Sequence, residues 1–82
     1  MRQKPCFRIG RETGRGMCFI TGAVDYSFNV EINGKRLDVT LVQTKSGKFL
    51  QPTFWDKRTE DRVRVNRDIA RKIKNELIGS RI

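Results

Sequence analysis

Apolar and polar residues alternate most regularly between positions 24 and 32. Val24, Tyr26, Phe28, Val30 and Ile32 are separated by Asp25, Ser27, Asn29 and Glu31. This period of two marks a strand with one buried face. Asn33-Gly34 follows directly and favours a two-residue type I′ turn, because both residues accept positive φ. The chain returns as Lys35-Arg36-Leu37-Asp38-Val39-Thr40-Leu41-Val42. With the turn at 33–34, Val30 faces Leu37, Phe28 faces Val39 and Tyr26 faces Leu41. On the other side Glu31 faces Arg36, Asn29 faces Asp38 and Ser27 faces Thr40. A slip of one residue would set Phe28 against Asp38 or Thr40, so turn chemistry and binary pattern specify the same register.

The pattern is weaker elsewhere. Met17-Cys18-Phe19-Ile20-Thr21 is a short apolar run, which predicts a strand ending near Gly22. Lys45-Ser46-Gly47 reads as a turn and Lys48-Phe49-Leu50-Gln51 as a returning strand. Pro52 cannot donate to a ladder, so that strand ends there or lies at an edge. Residues 56–65 are mostly charged and read as a loop, with a short strand over 62–65. Asn66 is a good helix N-cap. Ile69, Ile73 and Leu77, with Ala70 beside them, recur at helical spacing. Asp68 suits the first turn and Gly79 a stop. This helix of about 12 residues is too short to persist alone and must dock on the sheet. Residues 1–16, broken by Gly10, Gly14 and Gly16, read as a flexible basic arm with a short strand over 6–9. Residues 17–82 then form a single domain. The expected fold is α+β, an antiparallel sheet of three to five strands with one C-terminal helix packed on it.

Composition narrows the function. Eighty-two residues make one small domain. No apolar run approaches the roughly 18 residues of a membrane span. Met1-Arg2-Gln3-Lys4-Pro5-Cys6 has no apolar core behind it, so no secretory signal is read there. There are two cysteines, Cys6 and Cys18, and no histidine. That excludes a disulfide framework, a zinc site of ordinary composition, and Ser-His-Asp or Cys-His catalysis. The thiols read as reduced and the location as cytoplasmic, with a single disulfide as the alternative. No cofactor and no metal are expected, and the chain does not read as an enzyme. Gly10-Arg11-Glu12-Thr13-Gly14-Arg15-Gly16 lacks the Lys-Ser/Thr ending of a P-loop and reads as a flexible connection. A nuclease would need Asp56, Glu60 and Asp61 around a metal; among so many cations these read as partners in surface ion pairs.

Charge is the strongest functional signal. Eighteen Lys and Arg against nine Asp and Glu give a net charge of +9. Lys57, Arg58, Arg62, Arg64, Arg67, Arg71 and Lys74 gather toward the C-terminus. Arg predominates, and its planar fork matches phosphate. This is the electrostatic footprint of a nucleic-acid binder. Arg2, Lys4, Arg8, Arg11 and Arg15 of the arm are either a solvated tail or further phosphate contacts. Phe49, Phe54 and Trp55 are candidates for stacking bases, whereas Tyr26 and Phe28 share the core face. Trp55 either caps the sheet–helix core or lies exposed.

Several short motifs occur in a fixed order. Asp25-Tyr26-Ser27-Phe28 lies on a strand and Ser46-Gly47-Lys48-Phe49 on a turn. Leu50-Gln51-Pro52-Thr53 is a strand with a proline near its end, and Lys57-Arg58-Thr59 opens a charged loop before the helix. In this order and spacing the stretch from Ala23 to Leu77 resembles the SpoVG family (stage V sporulation protein G, the septation regulators). It departs from that family in a longer first hairpin, in Phe54-Trp55-Asp56 before Lys57, and in Val65-Asn66 where a proline would precede the helix. The resemblance implies a dimeric, non-enzymatic DNA- or RNA-binding regulator with Lys57 and Arg58 as contacts and Arg71 and Lys74 nearby.

Two readings of function follow. The first is a small basic regulatory protein that contacts phosphates through the loop and helix of residues 57–74, with DNA and RNA both open. The second is a small protein-interaction module, such as a phage- or mobile-element-type inhibitor of a host protein. It would act through charged-surface contacts or through an exposed edge strand at Lys48–Gln51. Neither reading involves a membrane, and a homodimer fits both.

Overall fold

The computed structural model describes residues 6–82. Five strands form one antiparallel sheet in sequence order: β1 (Phe7–Met17), β2 (Val24–Ile32), β3 (Lys35–Gln43), β4 (Thr53–Asp56) and β5 (Arg62–Val63). The helix α1 (Arg67–Glu76) follows, and a wider π-type turn, Leu77–Arg81, ends the chain. The α+β architecture expected from the sequence is the one observed.

The β2–β3 hairpin has the predicted register throughout, with Val30 opposite Leu37, Phe28 opposite Val39 and Tyr26 opposite Leu41. Asn33 has φ 51° and Gly34 φ 83°, the two positive values a type I′ turn needs. Every second residue of β2 from Tyr26 to Ile32, and of β3 from Leu37 to Leu41, is buried. The helix covers this face. Ile73 and Leu77 are fully enclosed, and Ile69 and Ala70 pack at the margin. The Asn66 side chain caps the helix, accepting from the backbone N–H of Asp68 at 2.8 Å and of Ile69 at 3.4 Å. The helix does not stop at Gly79. Leu77 and Ile78 still pack on the core, and the turn carries on until Arg81 Nη2 donates to the Ile9 carbonyl at 3.1 Å.

Three expectations are corrected. Residues 7–16 are not a flexible arm: they form most of β1, with Ile9 in the core; residues 1–5 lie outside the described residues. The alternation that betrays a strand is missing from Gly10 to Met17 because that half runs past the helix. With nothing to bury, it is held by its ladder to β2, with irregularities between Ile9 and Gly14. Second, Met17–Thr21 is not a strand of its own. Met17 ends β1, and Cys18–Ala23 form the connection to β2. Third, Lys48–Gln51 is not a strand: it makes one bridge, Phe49 to Gln43, and the strand begins after Pro52. The missing proline N–H thus falls outside the ladder. With no strand there, the edge proposed for partner pairing is absent; the sheet edges are β1 and β5.

Candidate nucleic-acid interface

The helix fixes the first three cations. At about 100° per residue, Arg67, Arg71 and Lys74 fall within an arc of about 60°, beside the buried stripe and away from Lys72. They line one open groove of about 620 Å³ together with Gln51, Val65 and Asn75. Arg62 and Arg64 lie on and just after the edge strand β5. They line an adjoining groove of about 500 Å³, and Val65 forms part of both. Five of the seven predicted cations therefore follow one rim around the β5–α1 connection.

Lys57 and Arg58 do not join this rim. A turn after β4 carries them, built by the Asp56 carboxylate, whose Oδ1 accepts from the Arg58 N–H at 2.8 Å. Glu60 N–H closes the turn on the Asp56 carbonyl at 2.7 Å, with Glu60 at φ 61°. Lys57 faces the helix-free side of the sheet, where it lines a cavity of about 260 Å³ with Arg8, Arg36 and Glu31. Arg8 is opposite Glu31 and Glu31 opposite Arg36 across three strands. Sequence reasoning missed this second cluster. Its Glu31–Arg36 half was visible in the hairpin register, but Arg8 joins only once β1 pairs with β2.

Among the described residues no carboxylate forms an ion pair with a rim cation. Among the described residues the ion pairs are Arg15–Glu12 at 3.0 Å and Lys35–Asp56 at 3.9 Å, and none of the seven predicted cations takes part. Asp56, Glu60 and Asp61 shape the 57–61 turn: Asp56 N–H donates to the Asp61 carbonyl, and Asp56 is the partner of Lys35. Among the described residues no group of three His, Cys, Asp or Glu side chains is placed to hold a metal ion.

The aromatic candidates separate clearly. Phe54 is 3% exposed, packed between Val39 and Val63 on the core face, so it is no stacking platform. Phe49 is half-buried against the same core. Trp55 lies on the helix-free face beside Asp38 and Arg62 and is 37% exposed, so it does not cap the sheet–helix core. Tyr26 is buried, and its hydroxyl donates to Gln43 Oε1 at 3.1 Å.

Both cysteines are free and exposed. The Thr21 hydroxyl, helped by the backbone N–H groups of Thr21 and Ile20, stabilises the Cys18 thiolate and holds its pKa below the ordinary thiol range. No helix among the described residues is long and apolar enough to cross a membrane. No family model, no curated protein and no solved structure matches this chain.

Proposed function

We propose that this chain is a small basic cytoplasmic protein that binds nucleic acid and acts by contact rather than by catalysis. The observation that carries the reading is the rim of Arg62, Arg64, Arg67, Arg71 and Lys74, where five cations border two adjoining grooves and none is paired with a carboxylate among the described residues. On the helix, the three cations span about 10 Å at 1.5 Å per residue. That distance covers about three phosphate steps of one duplex strand at roughly 3.4 Å each. Docking through Ile73 and Leu77 holds the helix in place, so the row of charge meets a polyanion already ordered. Binding releases condensed counterions, and the guanidinium forks supply bidentate phosphate contacts. The resemblance to the SpoVG family points the same way and adds the expectation of a dimer, which light scattering with and without a short oligonucleotide tests.

A gel-shift series with duplex and single-stranded probes tests the reading directly. Binding at about 50 mM salt that weakens steeply as salt rises is the expected result. No shift of either probe at that salt refutes it. A pull-down from lysate separates the alternative: partners lost on nuclease treatment support nucleic-acid binding, whereas one stoichiometric protein that resists nuclease supports an interaction module.

A further inference from the structure

Among the described residues two aromatic rings are exposed. Phe19 stands with Met17 and Ile20 at the β1–β2 tip, and Trp55 stands on the helix-free face of β4. Trp55 is the one whose surroundings extend the rim. In the ladder it lies between Asp38 of β3 and Arg62 of β5, so its backbone is held on both sides and the indole is a fixed platform. β5 is only two residues long and forms an edge of the sheet. Arg62 therefore serves both faces. Its place in the ladder sets it about 5 Å from Trp55, Cβ to Cβ, and it also borders the groove that holds Arg64 and Ala70 on the helix side. An open cavity of about 280 Å³ adjoins the indole, lined by Asp38, Asp56, Lys57 and Glu60. Its acids outnumber its one cation, so it disfavours a phosphate and suits an uncharged ring with hydrogen-bonding edges.

Resting on the nucleic-acid reading, we propose that the ligand is a single strand that follows the rim, rounds the sheet edge at Arg62 and stacks a base on Trp55. An aromatic platform beside a row of cations holds single strands with little regard to sequence, because every base has a π-face. A polyanion that lacks bases has nothing to place on Trp55. A duplex keeps its bases stacked inside and stays stiff over about 150 base pairs, so it cannot turn around the edge of a molecule 27 Å by 20 Å in its short dimensions. A duplex therefore meets the rim alone. The charges divide the path in the same way. Phosphates meet Arg62, Arg64, Arg67, Arg71 and Lys74, none of them in an ion pair among the described residues, and the base enters the stretch that carries acids.

Trp55 is the one tryptophan of the chain, so its emission reports on this face. The test titrates wild type with a single strand of about 12 nucleotides, a duplex of the same length and inorganic polyphosphate, with binding followed by competition against a labelled strand. The single strand should quench the emission, whereas the duplex and polyphosphate should bind and leave it unchanged. Trp55→Ala should weaken the single strand about 5- to 150-fold and leave duplex affinity and both salt slopes as they are, because a stack is lost and no phosphate contact is. Trp55→Phe should recover part of the loss. Circular dichroism checks that both variants fold, and the quench itself needs no variant. A single strand that binds without quenching, a duplex or polyphosphate that quenches equally, or a folded Trp55→Ala that binds the single strand like wild type overturns the stack and leaves the rim intact. So does wild type that binds the duplex and no single strand. Wild type that binds neither overturns both readings. Emission that shifts with protein concentration alone, and not with the strand, assigns this face to a second copy and refutes the stack.

Discussion

If the rim of the β5–α1 connection meets phosphates, removing its helical half should change the salt dependence of binding by a calculable amount. The perturbation is Arg67→Gln, Arg71→Gln and Lys74→Gln together. Gln has nearly the helix propensity of Arg and Lys, and Arg67 and Arg71 are exposed while Lys74 is half-buried, so the helix should stay docked. Five rim cations predict a log–log salt slope of about −4.5 on duplex DNA, at about 0.9 per neutralised phosphate. The two that remain predict about −1.8. Between about 50 and 200 mM salt, wild-type affinity should therefore fall roughly 500-fold and that of the variant only about 12-fold. Fluorescence anisotropy on a labelled duplex across that range gives both slopes. Lys72→Gln is the control, since Lys72 lies away from the groove and should leave the slope unchanged. Equal slopes for wild type and triple variant would refute the reasoning, because the structure assigns those three charges to one groove and no carboxylate competes for them.

Other expectations concern stability and the tip. Ile73→Ala should cost about 2–5 kcal/mol, because Ile73 is fully enclosed between helix and sheet. For a domain this small that is a large share of the total, and chemical denaturation should show the helical signal lost early; a cost under about 1 kcal/mol would mean the helix is not anchored there. Asp38 Oδ1 is buried, facing Asn29 and Trp55, and among the described residues it has no hydrogen-bond partner. Asp38→Thr should therefore raise stability by about 1 kcal/mol, and a destabilised variant would reveal an unseen partner for the carboxylate. Cys18 should react with a thiol reagent faster than Cys6 at neutral pH, since its thiolate is stabilised by the Thr21 hydroxyl. Thr21→Val should narrow that difference, and identical rates in wild type would contradict the geometry of the loop.

The sequence alone determined the parts of this protein whose signals are local. The β2–β3 register followed from a two-residue Asn-Gly turn and five alternating apolar residues. The helix followed from its cap and its 3.6-residue stripe, and the basic line of Arg67, Arg71 and Lys74 from the same periodicity. Tertiary structure decided what depended on distant partners. β1 has no alternation over its outer half because only Ile9 and its neighbours meet the core, so its pairing energy lies in backbone bonds that no side-chain pattern records. The same pairing turned the apolar run at 17–20 from an expected strand into an exposed tip. It brought Arg8 to Arg36 and Lys57 across the sheet, and it separated Lys57 and Arg58 from the other predicted contacts. Phe54 and Trp55, adjacent in the chain, went to opposite faces, since a strand turns each successive side chain over and only the neighbouring strands say which side is the core.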